Sequence, residues 1–253
     1  TDQNRSWNVA TSLRKPMSHG LSGSAAYSYG VSKSIVEPSS TASSNWSANP
    51  VPADPNNAPL GYSTNSPGHR YFIQGSYSHS YFGWGATTVS AFWDGHTNGN
   101  TSYVFAGDMN GDGAQGNDLI YVPRDQSEMN FVAIPATATV RAFTAAEQAA
   151  AFDQYISNDK YLRSRRGQYA ERNAVFLPFV QRMDLSLSQD LFHSFAGRKH
   201  SGQIRLDITN FGNLLNKSWG VGTLIVQTQT LTNAPAEARG KAPYRMAFVN
   251  APP

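Results

Sequence analysis

The densest oxygen chemistry in the sequence lies in GDMNGDGAQGNDLIYVP, residues 107–123. Asp108, Asn110, Asp112 and Gly113 match the opening D-x-[DN]-x-[DN]-G of a calcium loop, in which side-chain oxygens at alternate positions converge on a hard cation and glycine permits the sharp turn. Asp118 offers one more carboxylate, whereas Leu119 stands where an EF-hand places its bidentate Glu. The metal-site candidates are therefore Asp108, Asn110, Asp112 and Asp118, with structural calcium as the cofactor they would take. The same Asp-Gly and Asn-Gly pairs also suit tight turns between the strand-like runs TSYVFA and DLIYVP. Both readings stay open at this level.

Other chemistry has less support. The histidines at 19, 69, 79, 96, 193 and 200 show no H-x-x-x-H or H-E-x-x-H spacing, although His79 and His96 are placed to meet near a loop base. No serine sits in G-x-S-x-G, no P-loop occurs, and the chain has no cysteine for a thiolate site or nucleophile. Asp184 and Asp207 fall on the polar faces of neighbouring strands, where paired carboxylates could do acid–base work. Arg182 and Arg205 accompany them, which favours a charge ladder. No catalytic residue is assigned, and the chain is expected not to be an enzyme. The net charge of +3 is spread along the chain, so nucleic acid is not an expected partner, and Arg163, Arg165 and Arg166 read as a solvated patch.

The elements that position these groups are mostly strands. Aromatics are 12% and charged residues only 15%, with many Ser, Asn and Gly, a balance that suits a β-rich chain. Trp7, Val9, Thr11 and Leu13 alternate with polar residues, and after KPMSHG the pattern resumes through Leu21, Ala25, Tyr27 and Tyr29. HRYFIQGSYSHS and ATTVSAFWDG, linked by YFGWG, predict a second hairpin; FVQRMDLSLSQDL and GQIRLDITNF predict a third. GTLIVQTQTL and YRMAF are weaker strand candidates.

Hairpin turns are short, about residues 15–20, 81–85 and 192–200, whereas the segments at about 32–68 and 95–177 are long. That alternation is the asymmetry of an outer-membrane barrel. The first long segment is rich in Ser, Asn and Pro and reads as irregular. The second carries a helix, for Thr144 and Glu147 form an S/T-x-x-E capping box ahead of an Ala-rich run to about Asn158. No apolar run reaches the roughly 20 residues of a spanning helix. Trp7, Tyr27, Tyr29, Tyr71, Tyr77 and Trp93 are candidates for interfacial girdles. The opening TDQNRSWNV carries no signal peptide, so the chain reads as a piece of a longer exported protein.

SYVFAGDMNGDGAQGNDLIYVP, then a helix, then YLRSRRGQYAERNAVFLPFVQRMDLSLSQDL and DITNFGNLLNKSWG, resemble in order the C-terminal barrel region of TonB-dependent outer-membrane receptors of the Oar-like group, which carry a carboxypeptidase-regulatory-like domain. The resemblance implies an all-β fold, with residues 1–253 as the C-terminal portion of a 22-stranded antiparallel transmembrane barrel and long extracellular loops. It implies ligand uptake across the outer membrane. The expected partners are outer-membrane lipid, a plug domain and further barrel strands, the TonB complex through an N-terminal region, and an unknown extracellular substrate. The chain departs from that pattern in lacking plug and TonB-contact segments and in ending PYRMAFVNAPP. At most eight strands cannot close such a cylinder, so a curved sheet cut from a wall is expected. The alternative is a calcium-stabilised extracellular β-sandwich for binding or adhesion.

Overall fold

A computed structural model describes residues 4–37, 40–64, 66–81, 85–195, 197–225, 227–233 and 244–246. The three predicted hairpins form. They comprise β1 (Arg5–Ser18) with β2 (Leu21–Ser34), β3 (Gly68–Tyr81) with β4 (Gly85–Thr97), and β5 (Phe179–Phe195) with β6 (Arg198–Ile208). They join in chain order into one antiparallel sheet, with Gly61–Tyr62 as a short extra strand beside the end of β2.

The first turn is tighter than the sequence suggests. Strand β1 continues past Pro16, pairing again at Ser18 with Leu21, and only His19 (φ 53°) and Gly20 (φ 78°) turn the chain. Two successive positive φ values match the right-handed strand twist, as in a primed hairpin turn. Pro16 is tolerated because β1 is an edge strand and its register shifts between Lys15 and Ser18. Gly20 is required twice over: its φ is left-handed, and a Cβ there would strike the carbonyl of Ser78, whose own N–H donates to the Gly20 carbonyl at 2.8 Å.

Everything between β4 and β5 folds into a head. Its helices are α2 (Ala145–Asn158) and α3 (Lys160–Ser164); a shorter helix, α1 (Ala42–Ser47), lies in the β2–β3 connection. Thr144 Oγ1 accepts from Glu147 N–H at 3.1 Å, and Glu147 Oε2 accepts from Thr144 N–H at 2.8 Å, so the predicted capping box starts α2. Gln148, Phe152 and Ile156, four residues apart, form its buried face. Short ladders, Asn100–Thr101 with Val175–Phe176 and Tyr121–Val122 with Gln168–Tyr169, bind the irregular chain around it. The hydrophobic core lies here, with Tyr103, Phe105, Ile120, Phe131, Phe152 and Leu162 all buried.

Several expectations are corrected. Among the described residues the fold is mixed, with 16% helix and 45% strand, not all-β. The sheet is open: β1 and β6 end it without pairing to each other, so the described residues form no transmembrane barrel. The other sheets among the described residues have two strands each, so the alternative β-sandwich does not form either. Residues 95–177 are not a long extracellular loop on a barrel; beyond the end of β4 they form the head that holds most of the hydrophobic core. The described residues of GTLIVQTQTL do not join the main sheet; its last residue opens Leu231–Asn233, which pairs with Tyr244–Met246. The 82–84 link and the closing VNAPP lie outside the described residues, as do the side chains of His193 and His200. Among the described residues no helix is long and apolar enough to cross a membrane.

Candidate functional site

The acidic loop sits on the head and is tied down at both ends. Gly116 N–H donates to the Gly107 carbonyl at 2.9 Å, while Val51 N–H donates to the Asn117 carbonyl and Leu119 N–H returns a bond to Val51, both at 2.8 Å. Alternation then separates Leu119, buried in the core, from Asp118 on the side of the loop. Within the loop each oxygen ligand candidate holds backbone. Asp108 accepts from Gly111 N–H at 2.7 Å and Gly113 N–H at 3.0 Å, Asn110 from Asp112 N–H at 2.9 Å, and Asp112 from Ala114 N–H at 2.7 Å. These are turn-forming contacts, so the turn reading of the motif holds whatever else the loop does.

Asp118 is different. It is 2% exposed, one carboxylate oxygen accepts from Met109 N–H at 2.6 Å, and the other has no hydrogen-bond partner. Burial pushes its pKa up; N–H donation from Met109 and Asn110 opposes this, and the Asp112 and Asp108 carboxylates push it further up. Asn117 beside it is 1% exposed with neither amide atom partnered. The four predicted residues are thus brought into one loop. Among the described residues, however, no three carboxylate or imidazole groups already close on one point.

The remaining candidates are not brought together. His79 lies opposite Thr87 and His96 opposite Arg70, so they sit near opposite ends of the β3–β4 ladder, about 30 Å apart at the strand rise of roughly 3.4 Å. His96 instead lies 3.1 Å from Asp94, which also meets Arg70 at 3.5 Å. Asp184 pairs with Arg182 at 3.1 Å and accepts from Asn210 N–H at 2.7 Å. Asp207 pairs with Arg205 at 2.8 Å, and hydrogen bonds from Ser186 and Arg205 hold its pKa down. Each carboxylate is engaged by its own neighbours, which makes the charge ladder and not an acid–base pair.

The Arg163, Arg165 and Arg166 run is not merely solvated. Arg166 meets Asp153 at 2.7 Å, Arg165 meets Glu171 at 3.0 Å, and Arg163 donates to the Ser157 carbonyl at 3.0 Å, so the run braces the α2–α3 corner. Sequence reasoning missed Arg172. It is 2% exposed and joins the head to the end of β2, donating to the Ile35 carbonyl at 2.8 Å and also to Ser34 and Asn49. Burial lowers its pKa. Its place in RSRRGQYAERN gave no periodic signal that could have set it apart from the other arginines.

The aromatics read as interfacial girdles do not serve a barrel; several of them form packed pairs instead. Trp7 meets Tyr29 edge to face at 5.4 Å, Tyr71 meets Trp93 at 5.9 Å, and Trp93 stacks on Trp219 at 5.4 Å. No family model, curated protein or solved structure matches the chain. The mixed fold and the open sheet overturn the TonB-dependent receptor reading. Its outer-membrane localisation, transport role, lipid contact, plug and TonB partners fall with the barrel from which they were inferred.

Proposed function

We propose that the chain is a non-enzymatic binding unit that works within a larger protein assembly: further β-structure joins its sheet, and the head is what the assembly displays. One observation carries the reading. Leu21, Tyr77, Val89, Leu187 and Leu206 are consecutive register partners across five strands, and they form one apolar row in which every member is exposed by more than 40%. At roughly 4.8 Å per strand the row is about 19 Å wide. Leu13 and Ile73 extend the same face, at 77% and 46% exposure.

Contiguous apolar patches of this kind mark interaction surfaces, because water ordered over them is released when they are covered. Alternation along each strand gathers apolar side chains on one face, and the natural cover of such a face is the apolar face of another sheet packed about 10 Å away. The outer edges of β1 and β6 add unpaired backbone donors and acceptors, which template strand addition. Carboxylates held by their own arginines, Asp184 by Arg182 and Asp207 by Arg205, support binding over catalysis.

The test is the association state of the purified chain by light scattering, compared with a Val89→Lys/Leu206→Lys variant. Wild-type chain is expected to self-associate or to bind a hydrophobic dye strongly, and the variant to be monomeric with weak dye binding and an unchanged head. Wild-type chain that is monomeric and binds no dye would sink the proposal.

A further inference from the structure

We infer that the 108–118 loop is a calcium site, with Asp108, Asn110, Asp112 and Asp118 as its side-chain ligands. The inference is independent of the assembly reading. Positions one, three and five of the loop present oxygen side chains, and Gly113 at position six has φ 87°, the left-handed conformation the turn requires. The backbone carbonyl at position seven belongs to Ala114. What the motif lacks at position twelve the fold supplies at position eleven. Asp118 is folded under the loop, with one oxygen fixed on Met109 N–H, while its other oxygen is buried without a hydrogen-bond partner.

A buried carboxylate oxygen with nothing to accept is costly, and a cation beside it removes that cost. Among the described residues no Lys, Arg or His pairs with Asp108, Asp112 or Asp118, so none of those residues offsets their negative charge by an ion pair. The donors are all oxygen, which selects a hard cation over zinc. A ligand set of four oxygen side chains plus a carbonyl suits calcium better than magnesium, which demands near-ideal octahedral geometry.

Backbone N–H groups hold the Asp108 and Asp112 carboxylates apart, and a divalent cation would draw them inward toward Asp118. Calcium would then lock the loop against Val51, its hydrogen-bonded neighbour.

The full chain, stripped with chelator and dialysed, is titrated calorimetrically with calcium chloride and separately with magnesium chloride. Saturable calcium binding at one site is expected, weakened at least about tenfold in Asp118→Asn and in Asp112→Ala, since affinity follows ligand charge. Asp112 is only half-buried, so Asp112→Ala leaves the core intact and decides the matter alone if Asp118→Asn does not fold. In parallel, limited proteolysis within residues 108–118 is expected to slow with calcium in wild type and not in Asp112→Ala. No saturable heat in the folded wild type, equal affinity for magnesium, or affinity unchanged in both variants would overturn the assignment.

Discussion

The sheet and the head divide two properties that most domains combine. In the sheet the backbone is regular, with every inner strand paired on both sides, yet its apolar side chains face outward: Val9 is 66% exposed, Leu13 77% and Ile204 61%. In the head the backbone is largely irregular, yet Val122, Phe152, Ile156 and Leu162 are fully buried. Hydrogen-bonded regularity therefore does not imply burial. A backbone hydrogen bond exchanged for one with water contributes little net stability, whereas apolar burial contributes in proportion to area. The stability of the isolated chain should accordingly reside in the head.

The largest expected effect tests this directly. Phe152 is fully buried and meets Phe131 edge to face at 6.0 Å, so Phe152→Ala should cost about 3–5 kcal/mol through lost transfer and a cavity. Leu13→Ala, measured in urea at concentrations where the chain is monomeric, should fall within about 0.5 kcal/mol of wild type. Similar losses in both variants would break the comparison and mean that something covers the sheet face even in the monomer.

A smaller effect sharpens it. Tyr103 is 1% exposed, its hydroxyl donates to Asp159 Oδ2 at 2.7 Å, and the other oxygen of Asp159 accepts from Leu162 N–H at 2.7 Å to start α3. One carboxylate thus joins the core to the helix corner. Tyr103→Phe should cost about 1–2 kcal/mol. Burial first, and then the hydrogen bonds with Tyr155 and Asp159, raise the phenol's folded pKa above its ordinary 10.0. The stability carried by the neutral phenol is therefore complete below 10.0 and is lost as pH rises toward the folded value. Urea midpoints should fall with alkalinity above 10.0, less steeply in Tyr103→Phe. A residual slope is expected because burial also raises the Tyr155 and Tyr161 values. Identical slopes would remove Tyr103 from the alkaline transition.

The same division explains what the sequence revealed. Period-two alternation placed Leu185, Leu187, Leu206 and Ile208 on one face and Arg182, Asp184 and Asp207 on the other, and the ladders follow it. Alternation reports which side chains share a face but not whether that face is covered, and that gap let an open sheet pass for a barrel wall. Residues 95–177 looked like loop because their order comes from single bridges between distant residues, such as Val51 with Asp118 and Ala106 with Thr232, which leave no local period. The capping box at Thr144 was legible because its chemistry is confined to four residues. In the acidic loop the D-x-N-x-D-G spacing was equally local. The burial of Asp118 was not, since it depends on Val51 arriving from far along the chain.

The smallest effect lies at the boundary between local signal and head stability. Thr144 is exposed and caps α2, so Thr144→Ala should cost about 1 kcal/mol, visible as a lower urea midpoint for the head. Glu147→Gln preserves the capping pattern but removes the charge at the positive end of the helix. N–H donation from Thr144, then the Arg141 guanidinium at 2.9 Å, hold the Glu147 carboxyl below its ordinary 4.5. A lowered folded pKa means that the ionised group contributes stability above 4.5, and that this is lost as pH falls through the folded value. The gap between wild type and Glu147→Gln should be open at neutral pH and should close in acid below 4.5. A gap that stayed constant with pH would assign the difference to side-chain geometry, leaving the charge at the start of α2 without a role in holding the head together.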